Sequence, residues 1–272
     1  MFRHKAINAS VVAGMVRDGE LNVLIGSGVS CACGLPSWDK LISDMKRELL
    51  GNCARADRTE LRQFLETAGK LKIAGLYKQR SGEAKYVEFL RKRFRHCRTK
   101  AAPVLKAVAR LPVFTYFTTN FDKLLETACR ASLGGVDPIV VTDPSQLVGL
   151  ARKEKRIVKI HGDIDHPRTI VLTHDDYLRY LDKYESLAAY FTGKLAFSAL
   201  LLVGFGLRDP NFDRIYDGAR KILQGDGTRV IALMVRQNSI ERQTWANNGL
   251  LINDFDRYDD VPKFLNEIVR AC

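Results

Sequence analysis

Four short stretches carry residues able to do chemistry, and each follows an apolar run. The run at 21–25 ends in Gly26-Ser27-Gly28-Val29-Ser30. Glycines there let backbone approach a pyrophosphate, while hydroxyls and amide N–H groups donate to it. The third glycine of a dinucleotide fingerprint is replaced by Cys31. No second strand follows with a ribose-binding acid, which counts against a hydride-transferring dehydrogenase. A Gly-x-Gly alone also makes a tight structural turn. The second stretch, FTTNFD at 117–122, offers Asn120 and Asp122, an amide and a carboxylate that also suit a helix cap. The third, KIHGD at 159–163, places His161 before a glycine that permits close approach. With a pKa near neutrality, a histidine there suits a general base or a hydroxyl partner, and equally a structural role. The fourth, LLVGFGLRDPNF at 201–212, supplies Gly204 and Gly206, with Arg208 and Asp209 behind them. Two glycine loops on two strands suggest the two ends of one long ligand.

Positioning these residues on one crevice requires a particular sheet. Near-continuous apolar runs at 21–25, 113–119, 138–141, 156–160, 199–205 and 229–235 read as parallel strands buried on both faces, with helical spacing between them. The fold predicted is α/β, a doubly wound, Rossmann-like parallel sheet in a single domain over residues 1–272, with ligands outside the carboxyl ends of the strands. No convincing strand reads between 42 and 110, whereas ELRQFLETAGKLKIAGLYKQ and AKYVEFLRKRF have helical spacing. Residues 42–110 are therefore expected to form a helical insertion after the first βα unit. The stretch VPKFLNEIVRAC reads as a closing amphipathic helix.

Composition narrows the function classes. At 272 residues and 46% hydrophobic, the chain can bury a full core. No apolar run approaches the roughly 20 residues that span a bilayer, and the first residues lack a signal-peptide pattern, so a cytoplasmic location is expected. The six cysteines (Cys31, Cys33, Cys53, Cys97, Cys129, Cys272) form no Cys-x-x-Cys pair, and reduced thiols are the expectation. Cys31 and Cys33 alone make an incomplete metal or redox site. The net charge is +12, with its densest run, RKRFRHCRTK, at 91–100. Such a run attracts nucleic acid or another polyanion, or is simply a solvated helix face. His161, Asp163, Asp165, His166 and His174 crowd into a window that could hold a divalent ion, making a metal-dependent hydrolase an alternative. The same window also reads as a turn at 165–167 and a helix start at 174–176.

Taken in order, the four stretches resemble the sirtuin-like family, over residues 20 to 255. GSGVSCACGLPSW is similar to the family's Gly-Ala-Gly-x-Ser loop and Gly-x-Pro, FTTNFD to its Thr-x-Asn-x-Asp element, and KIHGD to its catalytic His-Gly. The resemblance implies NAD as a substrate that is cleaved. Gly26, Ser27, Gly28 and Ser30 would cradle the pyrophosphate, Asn120 and Asp122 would hold the nicotinamide side, and His161 would contact ribose hydroxyls. Gly204, Gly206 and Asp209 would lie towards the adenosine half. The family's deacylases carry a zinc ribbon and a Phe-Arg after Gly-x-Pro. Here paired cysteines are absent and Trp38-Asp39 stand in that place, so no zinc is expected. The chain resembles the ribbon-less bacterial branch, whose members hydrolyse NAD in anti-phage defence. That likeness implies a homo-oligomer and a sensor on a second chain, with a HerA-type hexameric ATPase or a short Argonaute as candidates, and nucleic-acid contact through the partner or the basic run. A non-catalytic NAD or ADP-ribose sensor and an NAD-dependent protein deacylase remain alternatives.

Overall fold

Burial on both faces dictates the centre of the molecule. The computed structural model describes residues 7–94, 102–147, 154–207, 209–224, 229–236 and 238–272. All residues of β1 (Leu21–Ile25), β2 (Thr115–Thr118), β4 (Arg156–Lys159) and β5 (Ala199–Val203) are buried. With β3 (Ile139–Val141), β6 (Val230–Val235) and β7 (Leu251–Phe255) they form a seven-stranded sheet in the order β3-β4-β2-β1-β5-β6-β7, each pair parallel. Side chains alternate across it. Val23, Ile25, Leu201 and Val203 enter one apolar core, and Leu24, Leu200 and Leu202 enter the other.

The helices cover those faces. Along the chain they are α1 (Ala9–Arg17), α2 (Ser27–Ala32), α3 (Trp38–Gly51), α4 (Arg58–Thr67), α5 (Lys70–Ser81), α6 (Glu83–Phe94), α7 (Pro103–Arg110), α8 (Leu124–Ser132), α9 (His174–Leu178), α10 (Tyr180–Lys183), α11 (Glu185–Phe197), α12 (Pro210–Ile222), α13 (Ser239–Asn247) and α14 (Asp260–Ala271). Residues from α1, α7, α8 and α14 fill the first core, and residues from α10, α11 and α12 the second. Helices α3 to α6 close a third core around Met45, Ile73 and Leu90, joined by Phe121, Ile164, Ile170 and Leu172 from the loops after β2 and β4. That third cluster therefore rests on the carboxyl end of the sheet.

The runs read from sequence correspond to β1 to β6, with the last residues of several runs already in the loops. Strand β7 was not among them. Its burial is discontinuous, and its inward Asn253 is polar, holding the backbone of Ile7 through both amide groups at 2.8 and 2.7 Å. An edge strand with one wet face lacks the continuous apolar signal.

The chain leaves β1 towards β2 on one side and later reaches β5 on the other, so the topological switch point lies at β1. There the two glycine loops pack directly on each other. A Cβ on Gly26 would lie 2.5 Å from the Gly204 carbonyl oxygen, and one on Gly28 2.9 Å from the same atom. Gly204 adopts φ +61°, open to glycine at little cost. We expect Gly26→Ala to lower stability by about 2 kcal/mol or more through backbone overpacking. Gly206→Ala, whose Cβ would meet nothing within 4 Å, should stay within about 0.5 kcal/mol. Urea midpoints read both; equal midpoints would contradict the close packing of the loops.

Candidate active site

Two groups of polar side chains gather at the carboxyl ends of the central strands. The first joins the loops after β1 and β2. Asn120 Nδ2 donates to the Gly26 carbonyl at 3.1 Å and to Ser30 Oγ at 2.9 Å, and Ser30 Oγ donates to Asp122 Oδ2 at 2.7 Å. Asp122 Oδ1 accepts from the Leu124 N–H at 2.9 Å, so this carboxylate both satisfies the first N–H of α8 and anchors Ser30. Ser30 and Asp122 are buried, and Asn120 is half-buried. Cys31 lies beside this group; burial, then the Asp122 charge, pushes its thiol pKa up, away from nucleophilic character.

Close packing also decides what the first loop can donate. The amides of Gly26 and Gly28 are spent on the carbonyls of Val203 and Gly204, at 3.0 and 2.9 Å. Ser27 and Gly28 are exposed at the first turn of α2. Of the phosphate donors expected from the sequence, Ser27 remains outward, while Ser30 turns inward to Asn120 and Asp122.

The second group surrounds His161. Gly162 has φ +87°, and a Cβ there would sit 2.2 Å from the Thr169 carbonyl oxygen, so only glycine lets the 162–169 loop fold back on the strand end. The imidazole is 3% exposed. Its Nε2 lies 3.5 Å from Asp209 Oδ2 and 3.5 Å from Asn211 Nδ2, and Tyr177 and Tyr180 meet its ring edge-on at centroid distances of 5.3 and 5.8 Å. Burial lowers the His161 pKa, against an opposing pull from Asp209, and the ring is neutral near pH 7. Asp209 caps α12, its Oδ1 accepting from the N–H groups of Asn211 and Phe212, while Oδ2 accepts from the Tyr177 hydroxyl at 3.1 Å. The structure thus sets Asp209 against His161 and packs Gly204 on the first loop. Gly206 is exposed. Arg208 lies outside the described residues.

A buried cation ties the two groups together, and reading the sequence missed it. Lys159, 1% exposed, donates to the carbonyls of Phe121 and Asp122 at 3.2 and 2.6 Å, and contacts Glu126 and Asp163 at 2.9 and 3.0 Å. Lys123 closes on Asp163 at 2.6 Å. Burial raises the Asp163 pKa, but Lys159 and Lys123 outweigh it and hold the carboxyl below its ordinary value. For Glu126 burial wins over Lys159, and its pKa is raised. The signal was present, since a lysine in an otherwise buried strand demands carboxylate partners.

The remaining expectations separate. Asp163 is engaged by lysines, Asp165, His166 and His174 are exposed, and His161 faces Asp209. Among the described residues, no three His, Cys, Asp or Glu side chains gather as metal ligands. In the basic run Arg93 turns inward, pairing with Asp44 and Glu48 at 3.3 Å over the Phe89 ring; residues 95–100 lie outside the described residues. A groove of about 880 Å³, bordered by Pro112, Phe114, Val136 and Lys155, sits at the opposite, amino end of the strands. Lys155 there caps the end of α7, donating to the carbonyls of Ala109 and Leu111 at 3.0 and 3.1 Å.

The SIR2-like domain family matches residues 115–252, a segment holding Asn120, Asp122, His161 and Asp209. The chain belongs to the SIR2-like domain family. The match begins at β2, so the first glycine loop lies outside it. Among curated proteins, the chain is 29% identical over 261 residues to "NAD(+) hydrolase ThsA" of Bacillus cereus (strain MSX-D12), covering 92% of this chain and 52% of that protein. It is 27% identical over 261 residues to "NAD(+) hydrolase ThsA" of Enterococcus faecium, covering 89% of this chain and 52% of that one. With "Defense-associated sirtuin 2" of Bacillus subtilis the identity is 25% over 244 residues, covering 88% of this chain and 23% of that protein. The chain spans about half the length, or less, of these curated relatives.

A neutral buried histidine makes stability depend on pH. Because the His161 pKa is lowered below 6.5, the unfolded chain takes up a proton that the fold refuses, so stability falls as pH drops through 6.5 towards the folded value. His161→Gln should shrink the difference between urea midpoints at pH 7.5 and 5.5. An unchanged difference would mean that other groups carry the pH dependence.

Proposed function

We propose that this chain binds NAD at the carboxyl ends of β1, β2 and β4 and hydrolyses it to nicotinamide and ADP-ribose. The observation that carries this reading is the hydrogen-bonded Asn120–Ser30–Asp122 group standing at the switch point of the sheet, where open α/β folds hold ligands. The curated relatives named as NAD hydrolases support the choice of reaction.

The bond from nicotinamide to ribose breaks to leave an oxocarbenium-like centre, which calls for nearby oxygen dipoles and an ordered water. Nicotinamide departs with the bonding pair; water adds to the ribose carbon and releases a proton. Asn120 has committed its N–H groups to Gly26 and Ser30, leaving its carboxamide oxygen as acceptor for the water or the nicotinamide amide. Asp122 holds Ser30, and through it the Asn120 orientation. His161, neutral near pH 7, would accept or pass a proton at a ribose hydroxyl. Ser27 would face the pyrophosphate.

In the cell this chain would act in the cytoplasm as an effector of bacterial anti-phage defence, where NAD loss arrests the infected host as in abortive infection. Constitutive turnover would kill the cell, so the activity needs restraint by a homo-oligomer or a partner chain; a HerA-type ATPase and a short Argonaute are candidate partners. The near-complete burial of His161 supports a closed resting site.

Nicotinamide and ADP-ribose released from NAD, resolved by chromatography with chelator present, test the proposal. Wild type, diluted to relieve restraint by a homo-oligomer, is expected to turn over NAD despite chelator, with His161→Ala or Asn120→Ala lowering turnover at least about 100-fold while thermal melts remain cooperative. Full turnover by either variant would remove the assignment.

A further inference from the structure

Buried His161 has neighbours whose polar atoms the fold leaves unused. Asn211, on the first turn of α12, is 1% exposed, and its carboxamide oxygen has no hydrogen-bond partner; the hydroxyl of Tyr180, also 1% exposed, has none either. Buried polar atoms are almost always paired, so each such exception asks for a reason. Packing alone does not supply one, since an apolar side chain of similar size would fill the same space without an orphaned acceptor. The Asn211 amide is turned to His161, with Nδ2 3.5 Å from the imidazole Nε2. The cluster therefore joins a neutral histidine, a carboxylate and an unsatisfied amide oxygen.

The free valences identify the ligand. Asn211 Oδ1 and Asp209 Oδ2 are both acceptors, and Asp209 brings negative charge, so a phosphate would be repelled and a group with two O–H donors would be held. A vicinal diol has that form. In the present structure the Tyr177 hydroxyl of α9 donates to Asp209 Oδ2 at 3.1 Å, standing where one ligand hydroxyl would donate.

We propose that Asn211, together with Asp209, reads the vicinal hydroxyl pair of the ribose that carries the bond to nicotinamide, displacing the Tyr177 hydroxyl as it enters. The inference rests on the NAD reading above and changes one part of it: Asp209 serves the reacting ribose beside His161, not the adenosine half. An acceptor pair on those hydroxyls places a carboxylate close to the ribose as positive charge develops, where it stabilises the transition state more than the ground state.

The test compares kcat/KM of wild type and Asn211→Leu on NAD, on NAD lacking the 2′- or the 3′-hydroxyl of the nicotinamide-side ribose, and on NAD lacking either hydroxyl on the adenosine side. Asn211→Leu is expected to cost about 10- to 100-fold on NAD and on the adenosine-side analogues. On the nicotinamide-side analogue that lacks the contacted hydroxyl, it should cost less than about threefold. If the Leu variant does not fold, Asn211→Ser, too short to reach the ligand, gives the same comparison. An equal loss on every substrate, or a loss that vanishes only on the adenosine-side analogues, overturns the proposal while leaving NAD cleavage standing. Wild type that neither binds nor cleaves NAD overturns the NAD reading and this inference together.

Discussion

The geometry of the site depends on one buried cation. Lys159 ends β4 with its ammonium inside the protein, hydrogen-bonded to the turn that carries Asn120 and Asp122 and paired with Glu126 and Asp163. Removing one partner from such a network typically costs about 3–5 kcal/mol, because it strands an uncompensated charge. Asp163 sits two residues beyond His161, so the network spans the histidine loop from before and after. The distance between the end of β2 and the end of β4 is thereby set by charge pairing as well as by strand register. Lys123 adds a second cation to Asp163, so the network closes without leaving that carboxylate bare.

The glycine contact at the switch point is the second constraint. Gly26, Gly28 and Gly204 let the loops after β1 and β5 touch backbone to backbone. This brings Ser30 within reach of Asn120 and Asp122, and starts α12 where Asp209 and Asn211 meet His161. The three-core layout has a consequence for function as well. The cluster of α3 to α6 rests on Phe121 and Ile164 from the site loops, so any force that shifts those helices is transmitted to the residues beside Asn120 and Asp163.

The fold class was legible because central parallel strands are apolar on both faces, and six of them announce themselves in the sequence. Strand β7 was illegible for the opposite reason: its inward Asn253 serves the chain near Ile7, not an apolar core. The candidate site was legible where a residue type is unusual for its place, as with Asn120, Asp122 and His161 after buried strands. The glycine loops were read as two ends of a ligand site, and their mutual contact appears only when β1 and β5 become neighbours across 173 residues of intervening chain. The pairing of Lys159 was illegible inside KIHGD because three of its four partners, Phe121, Asp122 and Glu126, come from the distant β2–α8 segment. Asn211 was overlooked because Asp-Pro-Asn reads as an ordinary helix start, and an orphaned acceptor is a property of three-dimensional surroundings.

We propose that NAD is cleaved between the Asn120 and His161 loops at the carboxyl ends of the strands. A crystal structure of the chain with a non-cleavable NAD analogue, in which carbon replaces the ring oxygen of the nicotinamide-side ribose, tests it most directly. The account predicts the reacting ribose between those two side chains, with the pyrophosphate over Ser27 and the Tyr177 hydroxyl released from Asp209. Binding of the analogue in the groove at the amino ends of the strands, or with its nicotinamide away from Asn120, would contradict it.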